Sequence, residues 1–144
     1  LGLFALASLP YAFKIAWAPL LEHIRAPFGE QKLGRLRAWA VFWQGVLMAA
    51  IIGSALTDPK EALFSIALWT LLLAFASASL DIVLDAYRIR ILKPFEQAAG
   101  AAAFVTGYRI AILAAGNGAV LASTVLPWAH VYMGLAALQA MGIA

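Results

Sequence analysis

The sequence predicts an all-α fold, a polytopic transmembrane helical bundle, on three observations. Of its 144 residues, 65% are apolar and only 12% are charged, whereas soluble domains carry roughly 45 to 50% apolar and about 25% charged side chains. The apolar residues gather into five runs, at about 1–22, 39–57, 62–88, 98–123 and 130–144, and the complete ones approach the ~20 residues that a helix needs to cross ~30 Å of hydrocarbon. The runs also lack the period-two alternation of barrel strands, so their backbone polar groups must be satisfied inside helices. Ten Lys or Arg and seven Asp or Glu cannot coat a soluble domain of this length, which excludes a soluble enzyme. A pI near 9.5 rests on a net charge of only +3, and its basic residues sit in short clusters between apolar runs. That pattern orients a chain in a bilayer and does not call for nucleic acid. With no Cys, there is neither a disulfide framework nor a thiolate metal site.

The runs form a single transmembrane domain over 1–144. In the first, Pro10 and Pro19 read as a kink and an end signal. The second carries no charge in its core, only Gln44, and the fifth only Gln139, so both are expected in an outer layer. The fifth holds only 15 residues, which reach ~22 Å and fall short of a crossing. That run, and a start at Leu1 rather than Met, lead to the expectation that the chain is a fragment. The fourth carries a stripe of Gly107, Ala111, Ala114 and Gly118, the small-xxx-small pattern that lets helix backbones approach.

The loops set the orientation. Arg25, Lys32, Arg35 and Arg37 follow the first run and Arg88, Arg90 and Lys93 follow the third, whereas the Asp58-Pro59 turn has Lys60 alone and 124–129 has no basic residue. The basic loops belong in the cytoplasm, which puts Leu1 on the outer side.

Lys14, Asp81, Asp85 and Arg109 lie inside apolar runs. Each costs about 2.5 to 3.5 kcal/mol at a helix centre, so mutual pairing inside a bundle is expected to offset them. Counted from the cytoplasmic ends at about 1.5 Å per residue, Lys14 and Asp81 lie ~13 Å deep, Arg109 ~16 Å and Asp85 ~7 Å. On the third run Thr70, Ser77, Asp81, Asp85 and Arg88 share one face. The opposite face, with Leu68, Leu72, Phe75, Val83 and Ala86, is expected to meet lipid, and Ser79 there can return its hydroxyl to a backbone carbonyl. Tyr11 clusters with Lys14 on the first run, and Arg109 with Thr106 and Gly116 on the fourth, Asn117 beside them. These three helices are expected to line a polar pathway.

At these residues the sequence resembles the muropeptide permeases (AmpG type) of the major facilitator superfamily, which in turn resemble the acetyl-CoA transporters. The resemblance spans nearly the whole chain and rests on LPYAFKIAWAPLLE (9–22), LGRLRAW (33–39), LDIVLDAYRIRIL (80–92) and EQAAGAAAFVTGYRIAILAAG (96–116). DIVLDAYR followed by GYR on the next helix is its most specific part. It implies that the runs are helices two to six of a twelve-helix transporter, within its N-terminal half, and that the loop from Glu22 through Gly34, Arg35 and Arg37 is a gating loop. Glu22-His23 stands where the family usually has Asp followed by Arg. The implied function is proton-driven import of N-acetylglucosaminyl-anhydromuramic acid and its peptides across the bacterial inner membrane. The implied partners are the lipid bilayer, protons and an anionic sugar peptide; no cofactor, metal or nucleic acid is called for, and a monomer is expected.

Asp81 and Asp85 are the candidates for proton coupling. Lys14, Arg109, Tyr11, Tyr108 and Asn117 are the candidates for substrate contact or ion pairing, with a fixed Asp81–Arg109 pair as the structural alternative. Asp85 with Arg88 reads as structural. A competing class is a membrane-embedded prenyl or phosphatidyl transferase, since Asp81-x-x-x-Asp85 puts two carboxylates on one helical face as a magnesium diphosphate site needs. A non-catalytic assembly subunit is a third class, although a scaffold has little reason to bury four charges.

Overall fold

The computed structural model describes residues 8–27, 30–58 and 62–141. The chain runs α1 (Leu9–His23), a single turn α2 (Glu30–Leu33), α3 (Arg35–Leu56), α4 (Leu63–Ile91), a 3-10 turn at Pro94–Glu96, α5 (Gln97–Ile112), a π-helical turn at Leu113–Asn117, α6 (Gly118–Ser123) and α7 (Trp128–Met141). The fold is all-α, with no strand among the described residues. Three stretches are long and apolar enough to cross a membrane: Arg35–Leu56 with 22 residues, Leu63–Ile91 with 29, and Pro94–Ser123 with 30. At about 1.5 Å per residue these reach about 33, 44 and 45 Å, against ~30 Å of hydrocarbon.

Local sequence explains the ends. Pro10 sits in the first turn of α1, where its missing N–H costs nothing, so it opens the described helix. Pro19 lies inside the last turns, and the His23 Nδ1–H donates to Pro19 O at 2.7 Å as α1 closes. Gly34, with φ +81°, turns the chain into α3, a backbone conformation that an L side chain resists. Helix α3 opens at Arg35, one turn ahead of the apolar run at 39, because Arg35 and Arg37 can keep their heads in water while their stems lie along the helix.

The second run, expected in an outer layer, holds the most buried residues among the described helices and lies beside the fifth run. It makes its most extensive contact with α4 and also packs against α7. Trp39, Trp43, Leu47, Ala50 and Ala55 of α3 are buried with Ala76, Ala78, Ser79 and Val83 of α4. Lack of charge reveals what a helix does not carry; it does not reveal who its neighbours are. Lipid offers no hydrophobic drive between helices, so packing holds this seam. Trp43 stacks on Trp39 at 6.0 Å and meets Phe42 and Phe75 edge-on at 5.1 and 5.6 Å, and Phe75 contacts Trp17 of α1 at 5.0 Å. Such pairs contribute about 0.5 to 1.5 kcal/mol each. Small residues allow the approach: a Cβ on Gly53 would stand 2.6 Å from the Trp69 ring.

The lipid-facing side expected for the third run is corrected at Phe75 and Val83 by the same seam, while Leu68 stays exposed. Phe75, Ser79 and Val83 pack on α3 and α1, with Ser79 fully buried and its hydroxyl donating to Phe75 O at 2.8 Å. An apolar face buries equally well in lipid or in protein, and composition does not separate the two. Helix α5 has no buried residue and joins α4 at one end, through Arg88 over the Phe104 ring at 5.7 Å and Gln97 Nε2 donating to Ile89 O and Leu92 O at 3.1 and 2.9 Å.

Candidate functional site: a polar layer between α1 and α4

A 15-residue α1 packs against α4, and the contact brings polar side chains of both helices to one level. The Tyr11 hydroxyl donates to Ser77 Oγ at 2.6 Å. One turn further along each helix, Lys14 and Asp81 act on one another electrostatically, and Asp85 adds a like charge beneath Asp81. Tyr11 lies in the electrostatic field of Asp81. From the observed helix ends, Lys14 and Asp81 lie about 14 and 15 Å along their axes, and Asp85 about 9 Å.

Asp81 is half-buried and Lys14 partly buried, with no direct ion pair between them. A carboxylate and an ammonium held apart in a low-dielectric layer attract strongly, yet each keeps hydrogen-bonding capacity for a third group. That arrangement can take an anionic ligand on Lys14, or a proton on Asp81. Asp85 is committed elsewhere: Arg88 Nη2 donates to its Oδ1 at 3.1 Å, an i,i+3 pair on one helix.

The expected Asp81–Arg109 pair is not formed among the described residues. Arg109 is exposed, as are its neighbours Tyr108 and Ile110, because this part of α5 has no buried residue. Asn117 is also exposed, between Gly116 and Gly118 at the end of the π-helical turn. Such turns insert an extra residue per coil and recur at functional sites. No hydropathy signal marked this one; the Gly-Asn-Gly triplet was the only hint. The stripe of Gly107, Ala111, Ala114 and Gly118 meets no packing partner among the described residues, with nothing within 4 Å of a Cβ built at Gly107 or Gly118.

At the basic end, the gating-loop residues split. Arg37 donates through Nε and Nη2 to the Tyr87 hydroxyl, at 3.1 and 2.7 Å, with its guanidinium 5.5 Å from the ring centre. Tyr87, missed as a site residue although it stands in the DIVLDAYR stretch, therefore clamps the start of α3 to the end of α4. Arg35 lies beside it and Gly34 supplies the turn. Glu22 closes α1, and its side chain lies outside the described residues, as do Pro59, Lys60, Glu61 and the termini 1–7 and 142–144.

Comparison with known proteins agrees with this architecture. The family profile described as Acetyl-coenzyme A transporter 1 matches residues 1–115. The chain is 38% identical over 139 residues to the Anhydromuropeptide permease of Escherichia coli (strain K12), covering 96% of this chain and 28% of that protein. It is 38% identical over 135 residues to a Haemophilus influenzae protein, covering 94% and 31%. It is 33% identical over 133 residues to the Rickettsia prowazekii protein that carries the name AmpG 3, covering 92% and 32%. The chain thus spans about a third or less of the length of these relatives. A family match over residues 1–115 and three stretches long and apolar enough to span a membrane establish a multi-pass membrane protein, and the chain belongs to the acetyl-coenzyme A transporter 1 family.

Proposed function

We propose that the protein is a proton-coupled secondary transporter of the bacterial inner membrane that imports anhydromuropeptides. Its basic loops face the cytoplasm, and Asp81 is the coupling carboxylate. The observation that carries this reading is the Lys14–Asp81 arrangement beside the Tyr11–Ser77 hydrogen bond. It puts a cation and a titratable acid within one another's electrostatic field on two packed helices, without locking them in a direct pair. An ionisable residue inside a membrane-spanning helix is expensive and is retained where it faces a pathway. The name of the E. coli relative supports the substrate class, since a muropeptide carries carboxylates that Lys14 can attract. The transferase alternative needs both carboxylates of Asp81-x-x-x-Asp85 for a metal diphosphate, and the bond from Arg88 to Asp85 favours a structural role for the second of them.

The test is uptake of labelled anhydromuropeptide by vesicles holding the full-length protein, with and without an imposed pH gradient. Asp81→Asn fixes the neutral state, so the variant should fold, keep substrate affinity within about tenfold and lose accumulation against a gradient. Full gradient-driven accumulation by Asp81→Asn would end the coupling assignment.

A further inference from the structure

We propose that the π-helical turn at Leu113–Asn117 builds a recognition site for the substrate. The turn brings Asn117 into line with Arg109, so that the Arg109 guanidinium takes a carboxylate and the Asn117 carboxamide takes an acetamido group. The inference rests on the transport reading and adds which groups of the substrate are read, and by which residues. Along Pro94–Ser123, a stretch long and apolar enough to cross a membrane, most polar side chains are already satisfied. Gln97 donates to Ile89 O and Leu92 O, Thr106 to Ala102 O at 2.8 Å, and Ser123 to Val120 O at 2.7 Å. Tyr108, Arg109 and Asn117 remain, with no side-chain hydrogen bond or ion pair among the described residues. A phenol is mostly ring. A guanidinium and a carboxamide left without partners inside an apolar stretch are costly, and are retained where a further group comes to meet them.

The turn sets the register of the two. Asn117 lies eight positions after Arg109, and at about 100° per residue an unbroken α-helix would leave them about 80° apart. A π-helical turn absorbs one extra residue, so the path counts as about seven α-helical steps and the angle closes to about 20°. The same insertion takes Gly118 from about 20° to about 80° away from Gly107, off the stripe that Gly107 and Ala111 begin. A continuous packing stripe is thus exchanged for a continuous polar face, which suits a ligand and not a neighbouring helix. Arg109 and Asn117 start about 11 Å apart along the axis, so one small anion does not span both. A guanidinium holds a carboxylate through two parallel N–H donors. A carboxamide offers one acceptor and a donor side by side, which a secondary amide answers with its own N–H and C=O. The ligand class is therefore an N-acylated sugar acid, extended along the helix. Gly116 and Gly118 flank Asn117, and nothing stands within 4 Å of a Cβ built at either, so among the described residues no side chain crowds the amide.

The experiment is equilibrium binding to the purified full-length protein in detergent, with two probes: an anhydromuropeptide, and its analogue carrying hydroxyl groups in place of the acetamido groups. The unaltered protein should bind the acetylated probe about tenfold more tightly, because the analogue leaves the Asn117 amide unanswered. Asn117→Leu keeps the volume and removes both hydrogen-bonding groups. It should weaken the acetylated probe about tenfold, leave the analogue within about twofold, and so erase the preference. Asn117→Gly with Gly118→Asn moves the same amide by one position, about 100° around the helix, and should erase it as well. Arg109→Gln should weaken both probes alike, since both keep the carboxylate. Equal affinity of the unaltered protein for the two probes, an equal loss of both in Asn117→Leu, or a preference that survives the Asn117–Gly118 exchange would each overturn the assignment. The first of these comparisons needs no variant to fold. Failure of the unaltered protein to bind either probe sinks the transport reading and this site with it, whereas binding without preference sinks this site alone.

Discussion

Helices α3 and α5 have nearly the same apolar character, yet among the described helices α3 holds the most buried residues and α5 holds none. The difference lies in what each brings to a neighbour. Helix α3 offers three ring systems, Trp39, Phe42 and Trp43, and a run of Ala and Gly that lets α4 come close. Helix α5 offers Gly and Ala stripes without partners, a charge at Arg109, and one attachment at its first turns. In a bilayer an apolar surface is at ease with or without a neighbour, so shape complementarity and polar contacts choose the packed pair, not hydropathy.

The sharpest way to break this comparison is Trp43. Trp43→Ala removes a ring that touches Trp39, Phe42 and Phe75, and should lower stability by about 3 to 5 kcal/mol. Ile112→Ala at an exposed position on α5 should cost under about 0.5 kcal/mol. Reversible unfolding of the full-length protein in mixed micelles measures both, and equal losses would abolish the distinction. Trp43→Phe refines it. The indole N–H of Trp43 is buried without a hydrogen-bond partner, so deleting it while keeping a ring should cost far less than the alanine change.

Next in size is Gly53→Ala. Its new Cβ would stand 2.6 Å from two atoms of the Trp69 ring, and a ring wedged between α3 and α4 must shift as a body. A loss of about 1 to 3 kcal/mol is expected, as for other overpacked sites. Gly107→Ala on α5 meets nothing within 4 Å and should be neutral or slightly stabilising, since Ala forms helix better than Gly.

Much of this was legible in the sequence, and the exceptions have one cause. Depth arithmetic brought Lys14 and Asp81 to one level, and helical periodicity put Ser77 on the face of Asp81, because each depends only on spacing within a helix. The Ser79 hydroxyl returned to its own helix for the same reason. What failed needed the register between helices. Arg37 and Tyr87 meet across 50 residues; Asp81 and Arg109 form no ion pair among the described residues; and α3 is enclosed because of which helices lie against it. The π-helical turn at Leu113–Asn117 is local, yet hydropathy is blind to it, since one extra residue in a coil leaves the run just as apolar.

The third prediction tests pairing inside the membrane layer. A double-mutant cycle of Lys14→Gln with Asp81→Asn should give a coupling of about 1 kcal/mol or more, and Arg109→Gln with Asp81→Asn a coupling near zero, since only the first pair shares a field in the structure. Stability of the full-length protein is the readout. A larger coupling for Arg109 would restore the pairing expected from depth alone.

The smallest effect is expected at the basic end, where Arg37 clamps α3 to α4. Both Arg37 hydrogen bonds converge on one phenolic oxygen, and a charged donor strengthens them, but Arg37 is exposed and water competes for it. Tyr87→Phe should therefore lower stability by only about 0.5 to 1 kcal/mol, keeping the ring beneath the guanidinium, while Arg37→Lys loses the planar fork and should cost about as much. The two changes remove the same contact, so their combination should cost little more than either alone. Raising the salt concentration should shrink the part that is cation over ring and leave the hydrogen-bonded part. If instead the two losses simply add, Arg37 and Tyr87 act on different partners, and the end of α4 is held by the Gln97 bonds to Ile89 O and Leu92 O rather than by the clamp.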